Sequence, residues 1–121
     1  KSNHYDFVKA DPQALERIMN NLVDNAFKYS EKGSIIEIST ITEYQHVKVM
    51  VSDSGVGVSD EDKSHIFDRF YRTASARASD NKGSGLGLAI VKNLTNSLNG
   101  EVGVESKNDA GSIFWFTLPI K

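Results

Sequence analysis

Residues 83–91 read Gly83-Ser84-Gly85-Leu86-Gly87-Leu88-Ala89-Ile90-Val91: three alternating glycines running directly into an apolar stretch. Without a Cβ, glycine adopts unusual backbone angles and lets N–H groups approach a ligand. A helix that starts at such a turn adds unpaired N–H groups and the positive end of its dipole. The combination suits an anion, phosphate above all, although a turn that only caps a helix can have the same composition. Other groups along the chain also stand out. Asn21, Asn25 and Lys28 are polar, with Tyr29 beside them, and Asp53-Ser54-Gly55-Val56-Gly57 sets a carboxylate among glycines. Ile66-Phe67-Asp68-Arg69-Phe70-Tyr71-Arg72 packs three aromatics and two arginines into seven residues, a composition that packs against a partner or contacts an anion.

Counting excludes three familiar phosphate motifs. A dinucleotide fingerprint beginning at Gly83 needs glycine at position 88, which is leucine. The P-loop needs a Gly-Lys pair, and the chain has none. A protein-kinase glycine loop should be followed by a Val-Ala-Ile-Lys-like strand, also absent.

The elements that must position these groups can be read from periodicity. Residues 4–9 suggest a short strand or extended lead-in. Asp11-Pro12 marks a helix start. From there Leu15, Ile18, Met19, Leu22, Val23, Ala26 and Phe27 recur at helical spacing and predict one buried face, with Gly33 where the chain leaves the helix. Rotation by about 100° per residue puts Asn21, Asn25 and Lys28 within roughly 60° of each other, on a stripe beside that face. The stripe could be an ordinary solvated flank, but two asparagines one turn apart lower helix propensity. Residues 35–42 and 46–52 alternate as strands of a hairpin turning at 43–45. Asp53 then emerges from a strand end into a glycine-containing loop, as ligand-binding side chains often do. A turn signal explains Asp53-Ser54-Gly55 equally well but not the second glycine, Gly57. Ser59 with Asp60, Glu61 and Asp62 predicts a capped short helix to about Phe67. Residues 73–82 are small and polar and read as a lid-type loop. Leu86, Ile90, Val91, Leu94 and Leu98 predict a second long helix ending at Asn99-Gly100. Residues 101–106 and 112–119 form a closing hairpin around a turn at 107–111, with Pro119 at the strand end. The sum is an α+β, two-layer sandwich with helices on one face of a mixed, mainly antiparallel sheet.

Composition sets the outer limits. A chain of 121 residues predicts one domain, spanning residues 1–121, with a single core. A net charge of −2 gives no basic excess for nucleic acid or an anionic membrane. Without cysteine there is no disulfide, thiolate metal site or cysteine nucleophile, and that suits a reducing cytoplasm. No apolar run reaches the ~20 residues of a membrane helix. The start at Lys1, without methionine, suggests a piece of a longer protein.

Together four blocks resemble the catalytic, ATP-binding domain of sensor histidine kinases. Residues 21–29 are similar to its N box, 53–57 to its G1 box, 66–72 to its F box and 83–88 to its G2 box. They occur in the family's order and span essentially the whole chain. The wider superfamily comprises the gyrase, Hsp90, histidine kinase and MutL (GHKL) ATPases, with the Bergerat fold.

The resemblance implies specific roles. Asp53 would accept a hydrogen bond from the exocyclic amine of adenine, with Gly55 and Gly57 letting the chain pass the base. Asn25 would bind Mg²⁺, and Asn21 would help position the phosphates or metal. Lys28 would contact phosphate, and Tyr29 would pack near adenine or ribose, with Phe67 also lining the ATP site. Arg72 would reach the γ-phosphate, with Arg69 and Arg77 as further candidates. Gly83, Ser84, Gly85, Leu86, Gly87 and Leu88 would offer backbone N–H groups to the phosphates. Asn25, Lys28 and Arg72 would then be the catalytic set.

Gyrase-like relatives carry a water-activating glutamate four residues before the metal asparagine. Here that position is Asn21, whose amide is no general base. The resemblance therefore implies slow hydrolysis and phosphoryl transfer to a histidine on a separate dimerisation domain. His4, His46 and His65 lack the acidic residue that follows the family's acceptor histidine, so the acceptor is expected outside this chain. It further implies a cytoplasmic domain of a membrane-anchored parent and a response regulator downstream, without nucleic acid or membrane contact. A GHKL-type ATPase or an anti-sigma-factor-like serine kinase is the alternative.

Overall fold

The computed structural model describes residues 11–30, 33–55, 57–71, 87–107 and 111–120, with Tyr29 as backbone alone. The expected strand at 4–9, the loop at 73–82 and residues 83–86 of the glycine-rich turn lie outside these residues.

Helix α1 spans Pro12–Tyr29. Asp11 accepts a hydrogen bond from the Gln13 N–H at 3.1 Å, and Pro12 occupies the first turn, where its missing N–H costs nothing. Ile18, Leu22 and Ala26 are buried. Phe27, expected on the same face, is 65% exposed. The first three stay within about 80° of each other around the axis, whereas Phe27 turns about 100° beyond Ala26, past the edge of the core.

Strands β1 (Glu37–Glu43) and β2 (His46–Ser52) form the expected hairpin. Its turn is Tyr44-Gln45, shorter than anticipated because Glu43 still pairs with His46. Ile35 stands exposed ahead of β1 rather than inside it. Helix α2 (Asp60–Lys63) begins at Ser59, whose hydroxyl accepts from the Asp62 N–H at 3.1 Å. It stops well short of Phe67, because the chain tightens there into consecutive three-residue turns. Helix α3 (Gly87–Ser97) ends where Asn99 takes a left-handed φ of 66° and the Gly100 N–H returns to the Thr95 carbonyl at 2.9 Å.

Strands β3 (Val102–Ser106) and β4 (Ser112–Pro119) complete a sheet of order β1-β2-β4-β3. All three pairings are antiparallel, within the mainly antiparallel sandwich expected. Directly opposed residues share a face. Val51 therefore sits beside Phe114 and Val49 beside Phe116, turned to the helices. There Phe114, Phe116 and Leu118 meet Ile18, Leu22 and Ala26 of α1 and Val91 of α3. The opposite face carries Trp115, with the Lys48 ammonium 4.6 Å from its ring centroid. No described helix is long and apolar enough to cross a membrane.

Candidate active site

The hydrophobic stripe of α1 determines where its polar flank must lie. With Ile18, Leu22 and Ala26 in the core, Asn21 and Asn25 fall at its half-buried border, and Lys28 reaches solvent. The Asn21 Nδ2 donates to the Arg17 carbonyl one turn back at 2.9 Å, which fixes its amide against the helix. Gly87, first residue of α3, abuts it: a Cβ there would stand 3.2 Å from Asn21 Oδ1. The start of α3, and with it the end of the glycine-rich turn, is thereby brought to the N box. Asn25 differs, because its Nδ2 is buried with no hydrogen-bond partner among the described residues. Such a group costs about 1–3 kcal/mol unless something else satisfies it.

Asp53 follows β2 directly and is 1% exposed. Its Oδ1 accepts from the Gly55 N–H at 2.9 Å and the Ser112 N–H at 3.3 Å, and its Oδ2 from the Ser112 hydroxyl at 3.1 Å. The Asp53 N–H donates to the Ser112 carbonyl at 2.9 Å. Gly111 permits this approach: it has φ 101°, and a Cβ would lie 2.1 Å from the Asp53 carbonyl oxygen. Gly57, also at positive φ, packs on Gly111 in turn, which accounts for the second glycine of the loop. Among the described residues no cation pairs with the Asp53 carboxylate. The Lys107 ammonium reaches the backbone carbonyl instead, at 3.3 Å.

A carboxylate offers about four acceptor positions, and three are filled from within the protein. The remaining capacity, on Oδ2, suits an amine donor. Sequence reasoning missed Ser112, although its strand was correctly located. The signal available was Gly111-Ser112, a glycine and a hydroxyl at the start of the strand that closes the sheet.

The F-box stretch lies on the sheet. Ile66 is buried, and Phe67 meets Phe114 edge-on with centroids 6.4 Å apart. The visible contact of Phe67 is thus with the core. Arg69 is exposed beside Phe70, and Leu88 packs against the core from α3. The structure therefore brings together Asn21, Gly87 and Leu88 at one helix pair, and Asp53, Gly55 and Gly57 at one strand end. Arg72, Arg77, Gly83, Ser84, Gly85, Leu86 and the Tyr29 side chain lie outside the described residues.

No group of three His, Cys, Asp or Glu residues suited to a metal occurs among the described residues. Asn25 is consistent with Mg²⁺, which prefers oxygen, keeps several waters and takes few protein ligands beside substrate phosphates. Its orphaned amide accords with a site completed by ligand.

The family model described as histidine kinase-, DNA gyrase B- and HSP90-like ATPase matches residues 10–121. The sensor-like histidine kinase SenX3 of Mycobacterium tuberculosis is 40% identical over 112 residues, covering 93% of this chain. The chain spans only 27% of SenX3. Among solved structures, the mycobacterial sensor histidine kinase MprB superposes with a TM-score of 0.86 at 32% identity, over 94% of this chain and 77% of that one. The catalytic domain of histidine kinase ThkA gives 0.79 at 31% identity, over 93% and 71%. The chain therefore belongs to the histidine kinase-, DNA gyrase B- and HSP90-like ATPase family and has the fold of a histidine kinase catalytic domain.

Proposed function

We propose that this domain binds Mg·ATP and transfers its γ-phosphoryl group to a histidine on the dimerisation domain of a parent sensor kinase. The observation that carries the reading is Asp53, a buried carboxylate held by three protein donors with acceptor capacity left over. Adenine's exocyclic amine would fill it. Guanine would set a carbonyl against the same carboxylate, so the pocket favours ATP.

Asn25 would hold Mg²⁺, whose contribution is to neutralise phosphate charge, and its orphaned Nδ2 would find a phosphate acceptor. Lys28, exposed one turn on, would act on phosphate as a mobile point charge. Arg72 would contact the γ-phosphate, and residues 83–88 would contribute backbone N–H groups. Catalysis on this reading is positioning and charge neutralisation. Asn21 supports transfer over hydrolysis: it is an amide, and its nitrogen is committed to the Arg17 carbonyl. A response regulator would receive the phosphoryl group downstream, and the domain would work in the cytoplasm.

Calorimetric titration with a non-hydrolysable ATP analogue tests the reading. Wild type should bind in the presence of Mg²⁺, and Asp53→Ala should lose most of that affinity. Absence of adenine-nucleotide binding to the wild type would refute the proposal. ATP turnover matching dedicated ATPases would favour a GHKL-type ATPase instead.

A further inference from the structure

The chain between β3 and β4 returns to the loop that follows β2 and grips its backbone. Asp53 is almost fully buried, so its carbonyl oxygen is shut off from water and needs a donor from the protein. Gly111 already crowds that oxygen, leaving no room there for a Cβ. Among the described residues the donor is the Lys107 ammonium, at 3.3 Å and 54 residues along the chain. Lys107 is itself half-buried and anchored, because its backbone N–H bonds the Gly111 carbonyl at 3.2 Å.

The Asp53 carbonyl belongs to the peptide group that leads through Ser54 to Gly55. The Gly55 N–H in turn donates to Asp53 Oδ1 at 2.9 Å, closing a turn between the side chain and its own backbone. Rotation of the 53–54 peptide would carry the Gly55 N–H off Oδ1 and leave the carboxylate hinged on Ser112 alone. A charged donor at the carbonyl opposes that rotation more strongly than a neutral one. Ser106 holds the far end of the same loop, its hydroxyl donating to the Val58 carbonyl at 2.9 Å. That contact lies beyond Gly57 and does not bear on the carboxylate.

We propose that Lys107 is a positioning residue for base recognition. By fixing the 53–54 peptide it aims the free capacity of Asp53 Oδ2 at the exocyclic amine of adenine, without touching nucleotide. This inference rests on the role proposed for Asp53. Its signature is a loss confined to nucleotides that carry the amine. A lysine that only stabilised the fold would affect nucleotides with and without the amine alike.

The test compares two affinities of the 121-residue chain in the presence of Mg²⁺. One ligand is a non-hydrolysable ATP analogue, and the other is the same triphosphate on purine riboside, which lacks the amine. Wild type should favour the adenine form. Lys107→Met keeps most of the stem and removes the charge. It should weaken the adenine form about fivefold and leave the amine-less form within about twofold. Lys107→Arg restores a charged donor and should recover most of the preference. Ser106→Ala, which loosens the far end of the loop, should leave the ratio unchanged. If Lys107→Met fails to fold, by circular dichroism, Lys107→Ala carries the same comparison. Equal losses for both forms in the lysine variant, or no loss, would overturn the role of Lys107 while leaving Asp53 as the amine acceptor. A wild type that binds both forms equally would overturn the reading of Asp53, and that of Lys107 with it.

Discussion

Ser112→Ala is the sharpest probe of the adenine pocket proposed at Asp53, because it removes one oxygen and leaves the backbone in place. Among the described residues the Ser112 hydroxyl is the one donor to Asp53 Oδ2, at 3.1 Å, whereas Oδ1 keeps the N–H groups of Gly55 and Ser112. A hydrogen bond to a charged group contributes about 1.5–3 kcal/mol. Asp53 and Ser112 are both almost fully buried, so water cannot replace the lost donor cheaply. Stability should fall by about that amount, lowering the melting temperature by about 5–12 °C for a domain of this size. The carboxylate is also released to rotate about its remaining bonds. Re-ordering it for the ligand amine should cost about 1 kcal/mol, roughly a fivefold loss in nucleotide affinity. Calorimetry and thermal melting on one preparation separate the two effects. Ser106→Ala is the control: it faces Ser112 across the β3–β4 ladder and bonds the Val58 carbonyl at 2.9 Å, away from Asp53. It should cost about 1 kcal/mol of stability and no affinity. If Ser112→Ala lowers the melting temperature yet binds nucleotide as tightly as wild type, the hydroxyl is purely structural and the reasoning fails.

Two further outcomes are expected. Asn25→Ala should relieve the buried orphan amide and thereby change stability little, while reducing the gain in ATP affinity on adding Mg²⁺ by about tenfold, readable by titration with and without EDTA. Gly103→Ala would put a Cβ 2.2 Å from the Trp115 ring. The indole must swing away, giving up the contact with Lys48 and costing about 1–3 kcal/mol. Trp115 is the chain's single tryptophan, so its emission should shift and the unfolding midpoint in urea should drop.

Local chemistry made much of this protein legible before any coordinates. Asp11-Pro12 starts α1 where cap chemistry requires it, and Ser59 caps α2 through its own hydroxyl. The alternation of β1 and β2 specified a hairpin, and Asn99-Gly100 marked the end of α3. These features depend on neighbours within a few residues, so spacing suffices to find them. The four boxes were visible for the same reason, since each is a short contiguous run.

Contacts between segments distant in sequence were decided only by the tertiary structure. Ser112 stands 59 residues from Asp53, and nothing near it shows that its hydroxyl holds that carboxylate. The requirement for glycine at 111 comes not only from its own φ of 101° but also from the Asp53 backbone pressing on it. Phe27 looked like a core residue because apolar spacing defines a wide stripe, but the sheet covers only its central part. Tyr71 read as one aromatic in a cluster until the three-residue turns carried it back to Asp62. Sequence spacing determined which groups could make an anion site. Only packing, by desolvating Asp53 and closing α3 on Asn21, determined how they are held, because burial and long-range pairing depend on the whole chain.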